Sequence, residues 1–434
     1  MNALTIGGIG VGILLLLMLI RMPIAFVFTL VGFAGFSYMV NTNAAFNLLA
    51  LDFFETFSAY HLTVIPLFIL MGQIAFQAGI SEKLYQTGYK IFGRVRGGLA
   101  IGTILACALF AACCGSSPAS VATMGSVALP EMRRYKYGDQ LAAGCIAAGG
   151  SLGILIPPSV ILIIYGILTE QSIAKLFIAG IVPGIVLAAF FMAAIYVVTL
   201  IRPELGPRGE ATTLKEKLRG IVGGVGEAIA IFILIIGGLF FGFFTPSEAG
   251  AIGVLGMLVI ALFRRKLTWK MFSEALGETL KISAMIFLII AGATVFGHFL
   301  ATTRLPFTVA TLVVGLELPR ALIMFMIILV YLVGGCFMDA MALILLTIPI
   351  FFPVSQALGY DPIWFGIMIV LVVEMACITP PVGINVYVMK GVAKDIPLET
   401  IFRGIAPFLI VEAILVILLI FVPEIALFLP SLMK

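Results

Sequence analysis

Long apolar blocks, rather than strict alternation or one-sided helical stripes, set the pattern of this chain. A helix needs about 20 apolar residues to cross a bilayer. Such blocks predict spans near 4–20, 23–40, 61–80, 140–168, 176–200, 222–244, 247–263, 274–303, 364–389 and 404–422. Two further stretches, 98–132 and 318–354, are each long enough for two short helices and carry glycine and polar residues at their centres. Helix breakers recur within the blocks. Gly115-Ser116-Ser117-Pro118, Pro130, Pro157-Pro158 and Pro183 have counterparts in Gly334-Gly335-Cys336, Pro349, Pro380-Pro381 and Pro407, at offsets of 219, 219, 223 and 224 residues. Broken backbone is tolerated at membrane depth only where protein or a wet cavity covers it. Breaks matched between two halves point to the binding region of a transporter.

Lysine and arginine in the short loops give the orientation. Basic clusters follow the first span (Arg21), precede residue 98 (Lys83, Lys90, Arg94, Arg96) and follow residue 132 (Arg133, Arg134, Lys136). They recur at 202–219, at 264–270 and around Lys390, Lys394 and Arg403, whereas 41–60, 168–175, 244–248 and 355–363 are poor in bases. The basic loops are therefore expected on the cytoplasmic side, with both chain termini outside. Residues 98–132 carry bases at both ends, so this segment is expected to enter and leave on one side as a re-entrant hairpin with its tip at 115–118. The 318–354 segment is the matching outer hairpin, with its tip near 334–339, although Arg304 and Arg320 lie outside against the rule.

Five spans and one hairpin per half make the second half enter from the opposite side, as inverted repeats do. The expected organisation is a first repeat over 1–200, a cytoplasmic linker over 201–221 holding an interfacial helix, and a second repeat over 222–434. The fold class is all-α and polytopic.

Composition agrees. Of 434 residues, 62% are hydrophobic and 11% charged, with mean hydropathy +1.23, against about 25% charged in soluble domains. The net charge of +4 is spread over loops and does not suggest nucleic acid. The first apolar block lacks a basic leader and a small-residue cleavage pattern, so a retained span is expected. Six cysteines in apolar stretches lack metal-ligand spacing and read as small buried hydrophobes. His61 and His298 stand alone, and neither an HExxH nor a GxxxxGK[ST] motif is present.

The chemistry gathers at the breaks. Proline removes a donor and frees the carbonyl four residues earlier, so carbonyls collect before Pro157-Pro158 and Pro380-Pro381. With hydroxyls from Ser116, Ser117, Ser151 or Thr379 they suit a hard monovalent cation such as Na⁺. Helix N-termini after the breaks favour an anion at the same depth. Asp339, in GGCFMDAM (334–341), is the outstanding acid, because an acid near mid-membrane is by default functional. It could ligate Na⁺, carry a proton, or cap the second hairpin leg. Its counterpart at offset 219 is Ser120, so the two sites are chemically unequal. Glu374, six residues before the second break, fits either an ion site or a structural hydrogen bond. Glu227, Glu248 and Glu412 read as solvated or interfacial, and the pairs Gly149-Gly150 and Gly237-Gly238 as close helix packing.

The stretches CGSSPASVATM (114–124), GGSLGILIPPS (149–159), GFFTPSEAGA (242–251) and TPPVGIN (379–385) make the whole chain resemble the large membrane subunit, DctM/SiaM type, of tripartite ATP-independent periplasmic (TRAP) transporters. The resemblance implies a Na⁺-driven importer of organic anions with an elevator-like fold of the ion-transporter superfamily. It implies two partners, a periplasmic substrate-binding protein and a small four-span membrane subunit on a separate chain, in the bacterial inner membrane. Carried onto this chain, one ion site pairs Gly115, Ser116 and Ser117 with residues 153–157, including Gly153 and Pro157. The other pairs Gly335 and Asp339 with Thr379, Pro380 and Gly383. Substrate is expected between the tips, near Ser116, Ser159, Asp339 and Asn385.

No arginine or lysine lies at a tip or break, so a carboxylate would rely on helix dipoles, hydroxyls and co-bound Na⁺. A stand-alone anion/Na⁺ symporter of similar fold is the alternative. An intramembrane enzyme is disfavoured by the lack of paired catalytic acids with metal-type spacing and of histidine in the broken segments; a channel is the fourth class.

Overall fold

The computed structural model describes residues 2–20, 22–209, 213, 225–315 and 318–433. Helices α1 (Ala3–Leu19) and α2 (Ile24–Met39) are followed by α3 (Thr42–Ser58), α4 (Val64–Gln77) and α5 (Ile80–Phe92). The first hairpin is α6 (Gly98–Cys114) and α7 (Ser117–Arg134). An interrupted helix follows as α8 (Asp139–Leu155) and α9 (Val160–Leu168), and then the long α10 (Ile173–Ile201). Beyond the linker come α11 (Gly226–Phe240), α12 (Pro246–Phe263), α13 (Trp269–Thr303) and α14 (Leu305–Val314). The order of the first half then recurs: a hairpin of α15 (Arg320–Phe337) and α16 (Ala340–Ala357), an interrupted helix of α17 (Pro362–Ala376) and α18 (Ile384–Val392), and a long α19 (Leu398–Phe421). A short α20 (Glu424–Ser431) closes the chain. Among the described residues, eight helical segments are long and apolar enough to cross a membrane.

The helices that precede the two breaks form the centre. Every residue of α8 from Leu141 onward and of α17 from Ile363 onward is buried. A helix apolar all round has no solvent face and must be surrounded. In lipid, close approach of small residues takes over the role of hydrophobic burial. Gly144 of α8 and Gly404 of α19 touch backbone to backbone, and a Cβ on Gly404 would collide with the Gln140 carbonyl. Two polar ties fix the centre further: Tyr165 donates to the Pro362 carbonyl at 2.6 Å, and the Trp364 indole donates to the Leu419 carbonyl at 2.9 Å.

Around this centre α2 packs along α13 and α4 along α12 and α13, and a Cβ on Gly32 would meet the Phe296 backbone at 2.6 Å.

Several expectations change. The stretch 41–60, read as a loop, is helix α3, capped by Asn41, which accepts from Ala44 N–H at 2.7 Å. Its apolar run is broken by Asp52 and Glu55, which lower its hydropathy. Asp52 is nevertheless buried, and His298 is not alone: its Nε2 lies 3.4 Å from Asp52 Oδ1. Helix α5 likewise occupies a stretch read only for its bases, and α14 and α20 were not foreseen. Of the linker, residues 203–205 form a 3₁₀ turn. The expected interfacial helix falls largely outside the described residues, as does Arg21.

Candidate functional site

Nearly equal helix lengths bring the first hairpin tip to the first break. α7 has 18 residues and α8 has 17, each about 26 Å long at 1.5 Å per residue. They are joined at their base, where Arg133 holds Asp139 at 2.8 Å and Asp395 at 2.5 Å. The far end of α7, Ser117, therefore lies level with the end of α8 at Leu155. The second hairpin leg α16, of 18 residues, and its neighbour α17, of 15, are joined by the short segment 358–361.

At the first tip, Gly115 ends α6 with φ +61°, a left-handed conformation that favours glycine. A Cβ there would lie 2.8 Å from the Pro158 carbonyl oxygen, so the tip rests directly on the break. Gly153 admits the Ser116 carbonyl equally closely, at 3.0 Å from its ideal Cβ, with the Ser120 hydroxyl at 3.1 Å. The carbonyls of Gly153 and Ile154 would bond to the N–H groups of residues 157 and 158, which proline lacks. The Ser120 hydroxyl is buried beside the Cys114 thiol and has no hydrogen-bond partner among the described residues. The Ser116 carbonyl accepts from Ser120 N–H at 3.1 Å and keeps one lone pair; together these oxygens, without a base among them, have the donor chemistry of a small hard cation.

Ser117 is buried and turns to the other half of the chain. It donates to Asn385 Oδ1 at 2.9 Å, and Asn385 Nδ2 lies 2.7 Å from Ser117 Oγ and 3.3 Å from the Ala147 carbonyl. Ser117 opens α7, and Asn385 stands in the first turn of α18. Ser159, also fully buried, caps α9 by accepting from Leu162 N–H at 3.4 Å. The N-termini of α7, α9 and α18 thus converge on one region. Ser116 stands at the N-cap of α7 and is half-buried, with no side-chain cap bond.

The second tip is built differently. α15 continues through Gly334, Gly335 and Cys336, so the turn falls at Met338-Asp339 rather than at the glycines. Gly335 packs on Ala376, just before the break, and the Cys336 thiol lies 3.5 Å from the Pro380 carbonyl. Thr379 Oγ1 donates back to the Met375 carbonyl at 2.7 Å, and Asn385 N–H donates to the Cys377 carbonyl at 3.0 Å. Gly383, at φ +60°, restarts the chain as α18. Asp339 caps α16, accepting from Met341 N–H at 3.0 Å, and lies within electrostatic reach of Cys377. It also faces a cavity of about 640 Å³ lined by Gly334, Met338, Leu15, Met22 and Met285. Pro157 and its surroundings are wholly buried, whereas Pro380 and Pro381 are exposed.

Of the three acids expected to be solvated or interfacial, one is not. Glu412 was read as solvated or interfacial and is fully buried, like Glu374. Glu227 pairs with Arg264 at 2.6 Å, and Glu248 closes a capping box with Thr245. Of the glycine pairs, Gly149 packs on Cys107 and Gly150 on Val121. Gly237 faces open space, and only Gly238 is covered, by Phe244. The bases Lys83, Arg264 and Lys266 line a separate polar cavity of about 550 Å³ with Gln86, Thr123 and Ser126.

Residues 11–425 match the family described as "Tripartite ATP-independent periplasmic transporter, DctM component". The chain is 38% identical over 389 residues to the C4-dicarboxylate TRAP transporter large permease protein DctM of Pseudomonas aeruginosa, covering 88% of this chain and 89% of that one. It is 33% identical over 407 residues to the sialic acid TRAP transporter large permease protein SiaM of Vibrio cholerae, covering 92% and 93%. Among solved structures it shares its fold with the YdaH transporter of Alcanivorax borkumensis. The TM-score is 0.63 at 13% identity, over 88% of this chain and 89% of that one. MtrF of Neisseria gonorrhoeae gives 0.59 at 15%, over 88% and 84%.

Proposed function

Because this chain belongs to the DctM family of large permease components of TRAP transporters, we propose that it is the translocating subunit of a Na⁺-coupled, binding-protein-dependent importer of an organic acid, of the C4-dicarboxylate or sialic acid class. The observation that carries the reading is the tip-to-break contact, Gly115 and Ser116 against Gly153 and Pro158, within a chain alike to TRAP permeases along nearly its whole length. One Na⁺ binds among the carbonyls of Ser116, Gly153 and Ile154 and the hydroxyl of Ser120, with Gly115, Ser117 and Pro157 shaping the site. A second binds where Gly335 and Asp339 approach Thr379, Pro380 and Gly383. The carboxylate substrate is held by the converging N-termini near Ser116, Ser159, Asp339 and Asn385, where dipoles favour an anion.

The halves 1–200 and 222–434 act as inverted repeats. Hairpins and broken helices move as one body against a scaffold of α1–α4 and α11–α13, in an elevator cycle. The hairpin base at Arg133 faces the cytoplasm, both termini face the periplasm, and the bilayer is the bacterial inner membrane. A periplasmic binding protein delivers the substrate, and a small four-span subunit completes the transporter. The cavity bordered by Lys83, Arg264 and Lys266 offers the anion its way out.

Uptake into proteoliposomes tests this. The chain with its two partners and an inward Na⁺ gradient should accumulate labelled succinate or sialic acid, and uptake should stop when Na⁺ is replaced by K⁺. Uptake of free substrate by this chain alone would overturn the tripartite reading.

A further inference from the structure

Glu374 of α17 and Glu412 of α19 are both fully buried, and all four of their carboxyl oxygens lack a hydrogen-bond partner among the described residues. They act on each other electrostatically, and Ser151 of α8 lies beside Glu374. The packing explains the meeting. α8 and α19 both start beside Arg133, through Asp139 and Asp395, and so run in the same direction. They touch at Gly144 and Gly404. Ser151 and Glu412 lie seven and eight residues further on, about two turns along each helix, and Glu374 of α17 interacts with both.

Two ionised carboxylates that act on each other in an apolar interior cannot both keep their charge, and a buried unpaired acid neutralises instead. No base acts on either group among the described residues. The bases on neighbouring elements stand at helix ends: Lys390 donates to the Lys394 and Ile396 carbonyls, Arg403 pairs with Glu399, and Lys175 begins α10. The other titratable groups around the pair are Cys377, which interacts with both acids, and Asp339 and Cys336, which interact with Cys377. The Ser151 hydroxyl is committed to the Ala148 carbonyl at 2.6 Å. Tyr165 of α9 is committed to Pro362.

We propose that Glu374 and Glu412 form a proton-binding dyad, in which the pair together holds at least one proton in the buried interior. It is separate from the oxygen clusters at the hairpin tips and does not depend on the transport reading. Glu374 lies three residues before Cys377 at the second break, and Ser151 lies two before Gly153 at the first. Loss of the proton would place uncompensated charge beside both breaks.

Infrared spectroscopy of the purified full-length chain in lipid tests the dyad. At neutral pH the wild type should show a protonated-carboxyl C=O band that persists when Na⁺ replaces K⁺. Glu374→Gln and Glu412→Gln should each remove or shift that band. Thermal midpoints should stay within a few degrees of wild type, because glutamine resembles the neutral acid. Asp339→Asn identifies any band that belongs to Asp339. A wild type without such a band, a band erased by Na⁺, or a band unchanged in both glutamine variants would overturn the proposal. If neither variant folds, the wild-type response to Na⁺, with the Asp339→Asn control, decides alone.

Discussion

Ser117 at the first hairpin tip and Asn385 just past the second break, 268 positions apart in sequence, share a buried hydrogen bond of 2.7 Å. The contact joins the two halves at the level where three helix N-termini meet. Asn385 Nδ2 donates in this bond, and Ser117→Ala removes its acceptor, together with the 2.9 Å contact from Ser117 Oγ to Asn385 Oδ1; an amide left under-satisfied in a dry site costs about 1–3 kcal/mol. Denaturation of the purified chain should register that loss. A double-mutant cycle with Asn385→Ala should give coupling of about 0.5–3 kcal/mol, and additive effects would mean the bond contributes nothing. Na⁺-dependent uptake should weaken in Ser117→Ala, and an unchanged Na⁺ dependence would remove Ser117 from the ion site.

Asp339 combines a cap and a charge, and asparagine separates the two. Asparagine caps a helix as well as aspartate does, so Asp339→Asn should fold normally. Loss of a charged ligand is worth about 1.5–3 kcal/mol, or roughly 10- to 100-fold in the Na⁺ concentration for half-maximal uptake. Titrating uptake against Na⁺ reads this directly, and a wild-type curve would leave Asp339 with its structural role alone.

The glycines make a paired prediction. Gly404→Ala drives a Cβ into the Gln140 backbone and should destabilise the chain by about 1–3 kcal/mol or prevent folding. Gly237→Ala meets nothing within 4 Å and should be neutral or stabilise by up to about 1 kcal/mol. Thermal midpoints of the two variants should move in opposite directions, or only the first should move.

At the hairpin base, the Arg133 guanidinium holds the Asp395 carboxyl below the usual carboxylate range. A carboxylate with a lowered folded-state value stabilises the fold above its unfolded pKa of about 3.9. That contribution is lost as pH falls through the lower, folded value. Asp395→Asn should therefore lower stability slightly at neutral pH and flatten its decline in acid. Thermal unfolding across that acid window checks the sign. The groups are solvent-exposed, so the effect should shrink with added salt.

Much of this architecture was legible because its signals are strong and local. Prolines at 157–158 and 380–381 remove donors wherever they stand, and the helices do stop there, at Leu155 and Ala376. The spacing of Gly115-Ser116 placed the first tip correctly, because glycine at φ +61° ends α6. The second tip, expected near 334–339, turns at the far end of that range: Gly334 and Gly335 remain helical, and the cap provided by Asp339 fixes the turn. Composition alone did not reveal α3, since Asp52 and Glu55 lower its hydropathy while Asp52 is in fact buried against His298.

Pairings between distant elements were the least legible. Nothing local in Glu412 distinguishes a buried acid from an interfacial one; its burial follows from the glycine contact that brings α19 onto α8. The Ser117–Asn385 bond was also out of reach. The sequence put both residues at breaks, but only the three-dimensional register joins the first tip to the second break rather than to the first alone.

The central geometric claim, that paired loops dip into the bilayer from opposite faces and meet interrupted helices inside it, is tested most directly by sidedness. Single cysteines at Arg94 and Arg134, in a chain freed of its native cysteines, should both react with an impermeant thiol reagent from the cytoplasmic face. Cysteines at Arg320 and Leu358 should both react from the opposite face. If Arg94→Cys and Arg134→Cys are labelled from different sides, the first hairpin crosses the membrane and the account fails.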